Sequence, residues 1–214
     1  MLPSQLSPAR FKRLKTALFV ACLYPLARLL VLGATHGLGA NPIEFITRST
    51  GTWTLVGLLL TLAITPLRRL TGMNWLLRLR RMLGLYAFFY ACLHLTTYLW
   101  LDQFFDVAAI LKDIAKRPFI TVGFSAWLLL LPLAVTSTNA MMKRLGRRWG
   151  LLHRAVYLIA PLAVVHYWWL VKKDVTQPAL YAAVLVVLLG YRLWCWARAR
   201  LRERWPAPAA TQMH

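Results

Sequence analysis

Three of the five histidines, His94, His153 and His166, lie in or at the edge of apolar stretches that hold almost no acidic residue to pair with them. An ionisable side chain inside a bilayer is costly and by default marks a functional site. Neutral imidazole is also the commonest protein ligand for transition metals. A lone histidine between helices serves as readily as a hydrogen-bond partner, but three on two stretches point to ligation. His36 falls in a loop and His214 is the last residue, so neither shares that setting.

The elements that must carry these side chains follow from the apolar pattern. Hydrophobic residues make up 59% of the 214 positions, too many for a water-solvated surface. Apolar runs occupy 17–34, 51–67, 83–101, 118–136, 151–170 and 178–197, each near the roughly 20 residues that cross a hydrocarbon core as a helix. They are apolar on every face, unlike the alternating strands of a barrel. The expected fold is all-α, an integral membrane bundle of six transmembrane helices. A basic arm covers 1–16, the six-helix domain 17–197 and a tail 198–214, whose Pro/Ala-rich end from Pro206 reads as frayed.

Charge gives the orientation. With 26 Lys+Arg against 6 Asp+Glu, the net charge of +20 would by itself suggest nucleic acid. The basic residues, however, sit in short clusters between the apolar runs, which is how a multi-pass membrane protein carries charge on its loops. Arg10, Lys12, Arg13 and Lys15 precede the first span, and Arg68, Arg69, Arg78, Arg80 and Arg81 join the second to the third. Lys143, Arg144, Arg147 and Arg148 join the fourth to the fifth, and Arg198, Arg200, Arg202 and Arg204 follow the sixth. The alternate loops hold Arg48, then Lys112, Lys116 and Arg117 offset by Asp102, Asp106 and Asp113, then Lys172 and Lys173 with Asp174. The positive-inside rule makes the first set, and both termini, cytoplasmic. The first span lacks a clear small-residue cleavage site after it and reads as an uncleaved anchor.

No loop is long enough for a second domain, no repeat of fixed period is visible, and no Gly-rich phosphate loop occurs. Any nucleotide or flavin reductase module would therefore be a separate protein. Cys22, Cys92 and Cys195 all fall within apolar spans with no CxxC or CxxCH among them, which argues against attached haem c and against a CxxC-type zinc or iron–sulfur site.

Depth sharpens the histidine chemistry. Counted from the cytoplasmic clusters, His94 lies 13 residues beyond Arg81 and His166 lies 18 beyond Arg148. Both reach the middle or outer half of the membrane, where two neutral imidazoles can face each other across one haem iron in a bis-histidine b-type site. His153 follows Arg148 by only five residues and belongs near the cytoplasmic edge. It precedes His166 by 13 residues, about 20 Å of helix, so one haem cannot span the two. On an ideal helix the two side chains would also point about 140° apart, and a kink at Pro161 would be needed to return them towards one face. His153 either ligates an inner haem or is structural; the positions on the third span that would match it hold Arg80 and Arg81.

Four stretches carry a resemblance: ITPLRRLTG, RRMLGLYAFFYACLHLTTYLWLD, KRPFITVGFSAWLLLLPLAVTSTN and LGRRWGLLHRAVYLIAPLAVVHYWW. Over about residues 10 to 200 the chain resembles the MsrQ family, the haem-binding membrane subunits of bacterial periplasmic methionine-sulfoxide reductase systems, within the wider ferric-reductase-like transmembrane group. The resemblance implies that His94, His153 and His166 are the haem-ligand positions in a multi-pass protein of the bacterial inner membrane. It also implies an electron path from the quinone pool or a cytoplasmic flavin reductase, through haem b and FMN, to a periplasmic molybdopterin-containing partner. The wider group has a second histidine on the third span, where this chain has Arg80, so the number of haems stays open.

Other residues carry two readings each. Arg28, midway along the first span, either meets a haem propionate or snorkels. Arg154 either serves a propionate at the inner face or simply adds to the inside charge. Trp100, Trp149, Trp168 and Trp169 read first as an interfacial belt. The competing class for the whole chain is a transporter or structural membrane protein whose histidines relay protons or bind helices together, although the scattered prolines do not form the matching halves common in transporters.

Overall fold

The computed structural model describes residues 6–171 and 174–204. Residues 1–5 of the basic arm, Lys172 and Lys173, and the tail from 205 onward with His214 lie outside the described residues. Among the described residues the chain is helical throughout, and six segments are long and apolar enough to cross a membrane. They are Pro8–Ala34, Pro42–Thr71, Asn74–Asp102, Pro118–Val135, Arg147–Leu170 and Thr176–Leu201. A lipid-embedded backbone has no water to pair with, so each segment must satisfy its polar groups internally.

Helix starts and stops are encoded locally. α1 (Pro8–Ala34) begins with Pro8 and the Ser7 side chain, which accepts from the Arg10 amide. α2 (Pro42–Thr71) begins at Asn41, whose side chain accepts from the Glu44 amide and donates to the Glu44 carboxylate at 3.0 Å, a reciprocal cap of the capping-box kind. It ends at Gly72 with φ of +73°, the left-handed conformation that glycine adopts without strain. The third span is composite: a 3₁₀ turn (Asn74–Arg78), α3 (Arg80–Thr96) and a π turn (Thr97–Asp102). α4 (Val107–Lys116) lies between the third and fourth spans, where only a loop was expected, and is capped by Asp106 accepting from the Ala109 amide at 3.0 Å. α5 (Pro118–Val135) follows at once, and Thr121 Oγ1 on α5 donates to the Ile114 carbonyl on α4.

The fifth span is where expectation and structure differ. Its helix is interrupted at Arg154–Ala155, between α7 (Arg147–His153) and α8 (Val156–Leu170), while Pro161 sits inside α8. The break separating His153 from His166 therefore comes before the proline, in a short 3₁₀-like passage where the amides of Arg154, Ala155, Tyr157 and Leu158 each reach back three residues. α6 (Asn139–Leu145) precedes it, and α9 (Thr176–Arg204) is the last span.

α2 is central. It packs against α3 so closely that a Cβ on Gly57 would lie 3.0 Å from the Cβ of Ala87, the small-residue contact that lets membrane helices approach. The buried core joins Leu55, Leu58 and Leu62 of α2 to Ala87 of α3, Leu130 of α5 and Ile159 of α8. α1 is peripheral, and two tyrosines of α3 hold it: Tyr86 and Tyr90 donate to the carbonyls of Phe19 and Cys22 at 3.0 and 2.7 Å. At one end of the bundle the basic loops meet. Arg78 stacks over Phe11 at 3.6 Å and Arg81 hydrogen-bonds Asn139, which gathers the starts of α1, α3 and α6 there.

Arg192, in the apolar body of α9, was not singled out by the sequence, and it answers a specific need. Pro66 has no N–H, so the carbonyl of Leu62 lacks its helical donor. Arg192 Nη2 donates to that carbonyl at 2.7 Å, and Nη1 donates to the Tyr157 hydroxyl at 2.8 Å. One guanidinium thus ties α9 to α2 and α8. Arg192→Met should cost about 2 kcal/mol, the scale of hydrogen bonds from a charged donor whose acceptor is left unpaired. Equilibrium unfolding in mixed micelles measures it, and Pro66→Ala, which restores a helical donor, should recover part of the loss. Equal losses with and without Pro66→Ala would refute the coupling.

Candidate functional site

The two spans bearing His94 and His166 deliver them to the same place. His94 is on the last turn of α3, and its Nδ1 lies 2.9 Å from the carbonyl oxygen of Thr47 on α2. A carbonyl only accepts, so Nδ1 carries the proton and Nε2 keeps a free lone pair. The ring lies flat against Gly51, where a Cβ would come within 3.1 Å of two ring atoms.

His166 repeats the construction on the other helix pair. Its Nδ1 donates to the carbonyl of Phe119 on α5 at 2.6 Å. The ring fills the space over Gly123, where a Cβ would come within 2.6 Å of Nδ1. In both half-sites the accepting carbonyl belongs to the residue four before the glycine, and Thr47, Gly51 and His94 each precede Phe119, Gly123 and His166 by the same 72 positions (119 − 47, 123 − 51, 166 − 94). Gly51, Gly123, Thr47 and Phe119 were not among the residues first singled out. The shared offset, invisible as a periodic repeat, is the signal that would have found them.

The two ring centres are 6.0 Å apart with planes at 79°. Metal–imidazole bonds are about 2.0 Å, so two imidazoles on opposite sides of one metal have ring centres about 6 Å apart. The Nδ1–H to carbonyl contact fixes tautomer and ring orientation, as the hydrogen-bond partners behind metal-bound histidines do. Among the described residues no group of three His, Cys, Asp or Glu side chains converges to hold a metal ion. A metal between these rings would therefore take its remaining donors from a ligand of its own.

Room for one exists. A cavity of about 330 Å³ is lined by both histidines, by both glycines and by residues of α2, the third span, α4, α5 and α8, and falls at the lower edge of the roughly 300–1,000 Å³ usual for ligand sites. Trp127 lines it too, and its indole N–H has no partner.

His153 is elsewhere, at the C-terminus of α7 near the basic end. Its Nδ1 donates to the Trp149 carbonyl at 3.0 Å and its ring stacks on the Trp149 indole at 3.9 Å. Its Nε2 is 3.4 Å from Ser137 Oγ, whose single proton goes to the Leu133 carbonyl at 2.7 Å. It does not line the cavity. Arg28 does not line it either; it stands over the Phe45 ring at 5.5 Å. Arg154 is exposed, and His36 is exposed in the loop after α1. Trp149, besides any interfacial role, donates to the Thr136 carbonyl at 3.0 Å and so fixes the stacking surface for His153.

Residues 50–164 match the family model described as ferric reductase like transmembrane component. A protein of Herminiimonas arsenicoxydans named protein-methionine-sulfoxide reductase heme-binding subunit MsrQ is 60% identical over 90% of each chain. Proteins of the same name from Ralstonia nicotianae and Azospira oryzae are 59% and 55% identical, over 94% and 97% of this chain and 94% and 91% of theirs. The chain belongs to the MsrQ family. The ferric-reductase match includes Gly51, His94, Gly123 and His153 and ends two residues before His166, so in this MsrQ-family chain it is the spatial pairing that brings His166 into the site. No solved structure matches the chain significantly.

The half-site construction predicts the tautomer. In ligand-free protein, ¹⁵N-histidine NMR assigned with His94→Gln and His166→Gln should show both rings protonated at Nδ1. Protonation at Nε2 would mean that the carbonyl contacts are not hydrogen bonds.

Proposed function

We propose that this chain is a haem b subunit of the bacterial inner membrane that carries electrons to a periplasmic molybdopterin-containing methionine-sulfoxide reductase, for repair of oxidised proteins. The observation that carries this reading is the pair of imidazoles with ring centres 6.0 Å apart at the side of a largely apolar cavity, each with its Nδ1 on a helix carbonyl. Names of relatives at 55–60% identity agree with it. When bound, haem would be held by His94 and His166 and would supply a one-electron couple whose potential those imidazoles tune.

The rest is work for the protein. Thr47 and Phe119 carbonyls hold the rings in the ligating tautomer, Gly51 and Gly123 provide flat slots for them, and Leu55, Leu58, Leu130 and Ile159 exclude water. By the positive-inside rule, the end carrying Arg78, Arg81 and Lys143 faces the cytoplasm, with both termini. The cavity, close to Arg48, Arg117 and α4, then opens towards the periplasm. Electrons enter from the quinone pool or from a cytoplasmic flavin reductase, with FMN as a further cofactor on the path. His153, at the entry end with its Nδ1 also on a carbonyl, is proposed as a third ligand position, for an inner haem.

His94→Ala and His166→Ala should each abolish the main low-spin b-type absorption. Gly123→Val should have the same effect with both histidines intact, because the added carbons occupy the place of the His166 ring. His153→Ala should lower haem per polypeptide, measured as pyridine haemochromogen, while sparing the spectrum of the outer pair. Full low-spin haem in either of the first two variants would reject the pairing, and an unchanged ratio in the last would make His153 structural.

A further inference from the structure

The cavity between His94 and His166 has two chemically different ends. Deep in the bundle its walls are hydrocarbon, from Leu58, Leu130 and Ile159; at its mouth stand Arg48, Tyr98, Asp102 and Arg117. Haem has the same polarity, with two carboxylates on one edge of an apolar macrocycle. Each arginine stands close in sequence to one of the carbonyls that hold the rings, though not at matching offsets. Arg48 follows Thr47, whose carbonyl holds His94, and Arg117 stands two residues before Phe119, whose carbonyl holds His166.

Each guanidinium is tethered by an acid one helical turn earlier. Arg48 Nη2 meets Glu44 Oε1 at 2.6 Å, and Arg117 Nε meets Asp113 Oδ1 at 3.3 Å. A guanidinium has five N–H donors, so these tethers leave both Nη groups of Arg117 for a carboxylate in the forked pairing that arginine favours, and Nη1 and Nε of Arg48 for single charge-assisted hydrogen bonds. The acids at the mouth are themselves engaged. Asp113 accepts from Tyr98 and from Gln103 at 3.4 Å each, and Asp102 accepts from Gln103 at 3.2 Å. Asp113 thus orients Arg117 while the Tyr98 and Gln103 donors spread its charge.

We propose, resting on the haem reading above, that Arg48 and Arg117 seat the two haem propionates and so set the polar edge of the macrocycle at the mouth beside α4. Neither residue is a ligand of the metal; each positions the group that His94 and His166 hold. The edge from which an electron leaves then lies at the α4 end of the bundle.

The test uses the whole protein as wild type, Arg48→Gln, Arg117→Gln and Arg28→Gln, the last an exposed arginine away from the cavity. Two quantities are read: the haem midpoint potential, and the rate of release to a haem scavenger. Losing one positive charge beside a propionate should favour ferric haem about tenfold, or about 59 mV for one electron, and should speed release about tenfold, the scale of one charge-assisted hydrogen bond. Arg28→Gln should stay near wild type, and Arg48→Lys and Arg117→Lys should keep most of the potential while losing retention. Wild type loaded with haem dimethyl ester, which lacks both carboxylates, should release it about as fast as the double variant Arg48→Gln/Arg117→Gln releases haem, and those substitutions should then add nothing. Equal release of haem and its ester from wild type would overturn the proposal without any variant, as would shifts in the mouth variants no larger than in Arg28→Gln. Wild type with no haem would instead overturn the haem reading on which the proposal stands.

Discussion

Two imidazole N–H groups donating to helix carbonyls, His94 to Thr47 and His166 to Phe119, set the arrangement on which the bundle depends. A polar ring inside a membrane needs its proton satisfied, and a helix carbonyl is free to accept a second hydrogen bond. For the ring to reach that carbonyl, the residue one turn later must have no side chain. Gly51 and Gly123 meet that condition, and with them the distances between α2 and α3 and between α5 and α8 are constrained at this depth. The cavity follows, because two helix pairs held at ring thickness leave an open volume between them.

The same accounting explains features remote from the site. Pro66 removes a donor from α2, and Arg192 of α9 supplies one, so a residue that would be expensive alone in lipid becomes a clamp among three helices. Tyr86 and Tyr90 attach the peripheral α1 to α3 by the same logic, their hydroxyls donating to carbonyls already engaged in the helix. The π turn directly after α3 re-aims the chain behind His94, which is where such irregularities commonly appear in functional helices. Lipid contact, in turn, accounts for the many large apolar side chains left outside the core, among them Leu30, Val31 and Val186.

Chemistry at the two ends of the bundle differs because the surrounding groups differ. Near the basic end His153 stacks on Trp149 and meets a hydroxyl, whereas the opposite pair lies over glycines, with the Nδ1 of each ring on a helix carbonyl. A pair of opposed rings is a place for a metal with its own equatorial donors; a ring stacked on an indole beside arginines is a different environment, one suited to charge arriving from outside the membrane. The interruption at Arg154–Ala155 keeps the two environments on separately oriented helices.

Much of this protein was determined by the sequence alone. Six apolar runs and the alternation of basic loops specify six crossings, because transfer of backbone and charge into hydrocarbon is dominated by terms additive along the chain. His94, His153 and His166 stand out for the same reason: ionisable residues in such runs are expensive wherever the runs end up. The pairing of His94 with His166 was legible too, from their depth beyond the basic clusters; what tertiary structure alone decided is how the pair is held. His94 and His166 come together because α2, α3, α5 and α8 pack around glycines 72 positions apart, and the helix break between His153 and His166 falls before, not at, Pro161. Arg192 likewise gained its role from neighbours distant in sequence, Leu62 and Tyr157. Side-chain partnership depends on the interaxial distance and rotation of packed helices, and these are properties of pairs of segments that no single segment carries.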